Sequence, residues 1–122
     1  MITGTVNGHR EAIVLLTVTG PAGSAVVLVV VDTGFTGYLT LPPGMVAALG
    51  LVYVGRGTAF LADGSEDEYD VVRGDITWFG VQRRVTVSAV GTEALVGMSL
   101  LDGYELRVEV AVGGAVEVRR LP

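Results

Sequence analysis

The sequence predicts an all-β domain with one or two short helices. Half of its 122 residues are hydrophobic, and valine, whose branched Cβ favours pleated strands, dominates them. Eighteen glycines cut the apolar segments into pieces that suit strands better than helices. Near the end of the chain, Tyr104 to Val112 and Ala115 to Arg120 alternate apolar and polar residues around Gly113-Gly114, as a hairpin does. The length suits one compact domain with its own core. No linker or low-complexity tract divides it, so residues 1–122 read as a single domain.

The elements follow in order. Ile2 to Val6 reads as a short strand and Asn7-Gly8 as a tight turn. Glu11 to Thr19 is a second strand, ended by GPAGS. Ala25 to Val31 is a third, and its unbroken apolar character predicts burial on both faces, because a half-exposed strand would alternate. Tyr38 to Leu41 makes a short strand after a glycine-rich bend. Pro43 suits a first helical turn and Gly50 a C-terminal cap, which predicts a helix near Pro43 to Leu49. Arg56 to Ala62 and Glu68 to Trp78 flank DGSED, where Asp63-Gly64 signals a hairpin. Val81 to Val90 is another strand. ALVGMSLLDG reads as a strand end feeding a short helix, with Met98, Leu100 and Leu101 on its buried face. Trp78 and Phe79 read as core or sheet-face packing. VVVDTG and EALVGM both bring an apolar run to a glycine, a faint internal echo about half a chain apart.

Composition narrows the function. Net charge is −5 and all eight basic residues are arginines, so a broad basic patch and a nucleic-acid partner are not expected. The chain has no cysteine, which removes disulfides, thiol nucleophiles and thiolate metal sites. The opening MITGTVNGHREA lacks a signal pattern, and the longest apolar run falls far short of the roughly 20 residues that span a bilayer. A soluble cytoplasmic protein without a membrane partner is the expectation. The only histidine, His9, follows a turn. No nucleophile elbow marks Ser24, Ser65, Ser88 or Ser99, so a Ser-His-Asp triad is not expected. The acids from Asp63 to Asp75 miss the spacing of a calcium loop, and neither metal nor other cofactor is expected. These acids solvate an exposed hairpin or, alternatively, select basic peptides.

The chemistry concentrates at Asp32. The strand VVLVVV runs into Asp32-Thr33-Gly34, so a rigid element holds the aspartate's Cα while Gly34 lets the backbone bend. The plainer alternative is a turn in which the carboxylate binds its own backbone. The segment VVVDTGFTGYLTLP resembles the active-site strand and loop of retropepsin-like (clan AA) aspartic proteases, in particular small bacterial single-domain members. TAFLADGSEDEYDV resembles their flap hairpin, and ALVGMSLLDGYELRVEV their second half. The three segments keep the family's order and cover most of the chain.

The resemblance implies a retropepsin-like barrel with a flap, the echo being its pseudo-repeat. It implies an aspartic endopeptidase in which two aspartates share one proton and activate a water. Asp32, Thr33 and Gly34 are the implied catalytic loop. Phe35 and the hairpin tip Ala62, Asp63, Gly64 and Ser65 are implied to meet a peptide or protein substrate. Leu95, Val96 and Gly97 are implied to support the site from behind. Because the chain holds one Asp-Thr-Gly, the second carboxylate must come from a second copy, in a C2 homodimer.

Three departures stand out. Phe35 has no hydroxyl to donate to the carboxylate, which implies an activity optimum less acidic than in gastric-type relatives. The flap tip is polar and acidic. The viral pattern of interleaved chain termini has no counterpart, so the dimer's sheet is expected to be built differently. A non-catalytic dimerisation or peptide-binding module on the same fold is the alternative.

Overall fold

The computed structural model describes all residues from Met1 to Pro122. Its elements are β1 (Ile2–Val6), β2 (Ala12–Gly20), β3 (Gly23–Val31), β4 (Leu39–Leu41), α1 (Pro43–Leu49), β5 (Val52–Phe60), β6 (Glu66–Trp78), β7 (Val81–Ala89), β8 (Leu95–Val96), α2 (Met98–Leu101), β9 (Tyr104–Val108) and β10 (Ala115–Arg120).

Local chemistry explains the boundaries. Pro43 opens α1 where its missing N–H costs nothing. Gly50 closes the helix at φ 65, donating to the Ala47 carbonyl while Leu51 N–H donates to that of Val46. Phe79 and Gly80 join β6 to β7, with φ of 52 and 75 at the two turn residues, the primed geometry that suits a tight hairpin. Phe79 is bulky for a left-handed backbone. Packing holds it there: its ring stacks on Tyr104 at 4.9 Å, and the Arg120 guanidinium lies 4.9 Å from its centre.

All ten strands form one sheet, ordered β5-β6-β7-β4-β8-β3-β2-β1-β10-β9. A further pairing of β2 with β6, through Val18↔Ile76 and Thr19↔Asp75, closes the six strands from β6 to β2 into a barrel. β1, β10 and β9 continue the sheet beyond the closure, so β9 is a free edge.

The barrel has an internal symmetry. β3 pairs in parallel with β8, β7 pairs in parallel with β4, and β4 and β8 meet antiparallel at the centre. Exchanging β2, β3 and β4 for β6, β7 and β8 therefore maps the barrel order onto its own reverse. Each half also ends in a short helix, α1 after β4 and α2 after β8. The expected echo is not this repeat: VVVDTG ends β3 and enters the loop after it, whereas EALVGM carries β8, the counterpart of β4, so the symmetry does not superimpose the two segments.

The core fills the barrel. Val18, Val29, Leu39, Leu41, Ile76, Val87, Val96 and Leu100 are almost wholly buried. Each such side chain contributes roughly 1.5–3 kcal/mol relative to exposure.

Four expectations change. β3 is not buried on both faces: Val27 and Val29 point inward, while Val26 is 68% and Leu28 58% exposed. A barrel strand has one interior face, and an apolar run cannot reveal that its other face is open. The first hairpin turn runs from Asn7 to Glu11, with Arg10 at φ 60 in the position expected of Gly8. The Asn7 side-chain oxygen accepts from His9 and Glu11 N–H and organises this turn. β5 begins at Val52 and stops at Phe60, and β9 stops at Val108, where Glu109 and Ala111 turn the chain back toward β10. No helix is long and apolar enough to cross a membrane.

Candidate active site

Asp32 stands one residue past β3, in register with the second half of the barrel. Val30 N–H donates to the Ala94 carbonyl and Asp32 N–H to that of Val96, both at 2.9 Å. The aspartate's backbone is thus an extra rung of the β3–β8 ladder. Its side chain is fixed as well: Gly34 N–H donates to Oδ1 at 2.9 Å, and Phe35 N–H to the Asp32 carbonyl at 3.1 Å. Gly34 is not among the glycines at positive φ. Its role differs from the sharp bend expected, because a Cβ there would stand 3.3 Å from Asp32 Oδ1 and crowd the carboxylate.

Phe35 organises the far side of the loop. Its ring packs against Gly37 and Gly97. A Cβ on Gly37 would meet the ring at 2.5 Å, and one on Gly97 would meet it at 2.6 Å and also strike the Gly37 carbonyl. Backbone bonds tie the loop to the second half: Gly97 N–H to Tyr38, Met98 N–H to Phe35 at 2.8 Å, and Ser99 N–H to Gly37. The Ser99 hydroxyl also donates to the Thr36 carbonyl. Val96 and Gly97 thus adjoin the Asp32 loop through backbone bonds, and Leu95 pairs with Val30 on the neighbouring rung. Thr40, 6% exposed, accepts the Leu95 N–H through its hydroxyl at 3.2 Å and joins the halves again.

Asp32 and exposed Thr33 line a cleft with Val31, Leu95, Val108 and Val110 on its apolar side. Arg10, Glu11 and Glu93 are its other charged residues. Asn7 steadies Glu11 through a 3.0 Å side-chain bond. The acids outnumber the base, so the cleft favours cationic groups. Arg10 and Glu93 carried no signal in the sequence. Arg10 follows an ordinary turn. Glu93 stands on the loop between β7 and β8, which the barrel symmetry makes the counterpart of the Asp32 loop between β3 and β4.

The hairpin tip is separate from this cleft. Ala62, Asp63, Gly64 and Ser65 are exposed at the β5–β6 turn, and none of them lines the cleft at Asp32. The turn is ordered from within. Leu61 N–H donates to Ser65 O, and Gly64, at φ 85, donates to Leu61 O. Asp63 Oδ1 accepts from the Ser65 hydroxyl at 2.5 Å and from its N–H at 2.9 Å. These two bonds hold the Asp63 carboxyl below the ordinary carboxylate range. The tip also exposes Phe60 at 76% and Leu61 at 49%, apolar surface beside the polar residues.

No protein-family model and no curated protein matches the chain. Among solved structures it is similar to the EIAV protease complexed with the inhibitor HBY-793. That match has a TM-score of 0.57 and 17% identity, covering 79% of this chain and 89% of the other. The fold is retropepsin-like: a closed barrel of mostly β structure with two short helices.

Proposed function

We propose that the chain is an aspartic endopeptidase that works as a homodimer, with Asp32 of each subunit forming one catalytic pair. The observation that carries this reading is the doubly fixed Asp32. Its backbone is locked to Val96 and its Oδ1 to Gly34 N–H, at the mouth of a cleft, on a fold similar to that of a protease. One such acid per chain means that the pair needs two chains.

The chemistry follows from two carboxyl groups holding one proton. The ionised carboxylate takes a proton from water as the water oxygen attacks the peptide carbonyl. The protonated carboxyl gives its proton to the carbonyl oxygen, and a neutral tetrahedral diol results. A proton then passes to the amide nitrogen, the C–N bond breaks, and an acid and an amine leave. Thr33 and Gly34 shape the loop. Leu95, Val96 and Gly97 hold it from behind, Phe35 borders the substrate pockets, and the tip from Ala62 to Ser65 closes over the peptide.

A second reading has its own observation. The Gly34 N–H bond makes Asp32 the cap of its own turn, which is all that a non-catalytic peptide-binding or dimerisation module would ask of it. Asp32→Asn separates the two readings. Asparagine keeps an Oδ1 acceptor for Gly34, so the turn and the fold should survive, but it cannot exchange the proton. Peptide-library cleavage measured across pH should vanish in this variant. Equal cleavage by wild type and Asp32→Asn would end the protease reading, and tight peptide binding without cleavage by either would favour the module.

A further inference from the structure

β9 is the free edge of the sheet, and its sequence is complementary to itself. We propose that two copies join edge to edge through β9, antiparallel, with Leu106 opposite Leu106 of the partner subunit. The inference rests on the reading that Asp32 needs a second copy, and it names the surface and register that would supply it.

Three observations carry it. The first is which backbone groups are free. Glu109 N–H donates to the Ala115 carbonyl, and Leu121 N–H donates to Gly103. In an antiparallel ladder every second residue faces the same neighbour. With the β9–β10 register Val108↔Val116 to Tyr104↔Arg120, residues 103, 105, 107 and 109 face β10. The N–H and C=O of Tyr104, Leu106 and Val108 therefore point away from it, to the open edge. Centring the pair on Leu106 joins all three of these residues to the partner: Leu106 to its mate, and Tyr104 to Val108 of the partner subunit.

The second observation is charge. Directly opposed residues share a face of the sheet, so only three registers keep most of this short strand paired. One centred on Glu105 sets two carboxylates against each other, and one centred on Arg107 sets two guanidinium groups together. The register centred on Leu106 sets Glu105 opposite the partner's Arg107, twice by symmetry. These side chains already belong to a ladder on β9 and β10. Arg119 lies 3.6 Å from Glu105 and 2.6 Å from Glu117, and Arg107 lies 3.9 Å from Glu117. The new pairs extend that alternation without a break.

The third is position. Val108 and Val110 line the cleft at Asp32, so the C-terminal end of the edge strand borders that cleft. At the other end of β9, Tyr104, Met98 and Leu121 share a depression. Val110 is 71%, Leu121 53% and Met98 45% exposed, apolar surface flanking both ends of the edge. β5, the other free edge, shifts register between Tyr53 and Gly55, and such a bulge hinders edge pairing.

Charge reversal tests the register. In E105R two arginines oppose two arginines, and in R107E two glutamates oppose two glutamates. Each homodimer should weaken about tenfold. A one-to-one mixture should recover wild-type association, because both cross pairs become attractive in the heterodimer. Contacts with Arg119 and Glu117 inside each chain are unchanged on mixing, so recovery reports the interface alone. Sedimentation equilibrium reads all four samples.

The chain has no cysteine, so L106C offers a second reading that needs no charge change. Oxidation should trap it as a covalent dimer, whereas a cysteine at Glu117, on the inner strand β10, should not cross-link. Reversed chains that dimerise like wild type, a mixture no tighter than its components, a dimer that L106C fails to trap, or a wild type that stays monomeric would each overturn the inference. The protease reading fails separately. A β9-joined dimer that cleaves nothing would leave this interface standing and remove the catalysis. Asp32-dependent cleavage with association indifferent to both reversals would do the opposite.

Discussion

The loop after β3 and the loop after β7 occupy equivalent places in the two halves of the barrel, yet they are finished differently. The first, Asp32 to Tyr38, is tied down along its length by Val96, Gly97, Met98 and Ser99 and folded around Phe35. The second, Val90 to Ala94, turns at Gly91 with φ 79 and reaches β8 directly. Its acid, Glu93, lines the same cleft as Asp32. Asp32 also has a side-chain bond to Gly34 N–H. A repeated framework thus presents two carboxylates to one cleft, and of the two only Asp32 has a side-chain hydrogen bond that fixes it. On the proposed reading, that pre-set position is what separates a catalytic acid from a charged wall.

That contrast can be broken most directly at the acids themselves. Asp32→Asn is expected to lower turnover by about 10²–10⁴-fold or to abolish it. Glu93→Gln is expected to act on KM for basic peptides instead, by less than about tenfold. Steady-state kinetics on both variants decides the matter, and equal losses of turnover would mean that the loops share the chemistry.

The next largest effect concerns the packing that tells the loops apart. Gly97→Ala drives a methyl into the Phe35 ring and the Gly37 carbonyl and should cost about 1–3 kcal/mol in thermal or urea unfolding. Gly91→Ala meets no neighbouring atom and suffers only the strain of its positive φ, about 1 kcal/mol. A Gly97→Ala protein as stable as wild type would show that Phe35 does not hold the Asp32 loop.

Thr40→Val removes the buried acceptor of Leu95 N–H, where the two halves meet, and should cost about 1 kcal/mol with little change in shape. Hydrogen exchange at Leu95 should quicken. Unchanged exchange would mean that the halves are held by apolar packing alone.

The smallest effect belongs to the tip of the β5–β6 hairpin. The Asp63 carboxyl is held low by Ser65, so its two bonds are present at neutral pH and are lost as pH falls through the lowered value. The tip should therefore stay ordered in mild acid and loosen only in stronger acid, seen as faster exchange of Ser65 N–H. Ser65→Ala should move that loosening to higher pH. Tip exchange independent of pH in both proteins would remove Asp63 from the account.

Much of this was legible in the residues. The turns at Gly50, at Asp63-Gly64 and at Gly113 follow from local backbone chemistry and need no tertiary knowledge. Asp32 stood out because an apolar strand ends in Asp-Thr-Gly, a moderate signal alone, and because the segments around it resemble retropepsin-like proteases in the same order. The open outer face of β3 was not, since Val26 and Leu28 look the same whether or not something covers them. Arg10 reaches the cleft only because the turn before β2 bends at Arg10 and not at Gly8.

Residue chemistry alone decided where most strands run, where most turns fall apart from the one at Arg10, and that each chain carries a single Asp-Thr-Gly at the end of a strand. Those properties depend on side chains within a few positions of one another. Tertiary structure alone decided that β8 slips between β3 and β4, that Val96 anchors Asp32, and that Glu93 and Val108 share its cleft. It also left β9 as an open edge. These are parallel pairings and sheet ends joining distant parts of the chain, and they are set by closure of the barrel, for which no local pattern codes.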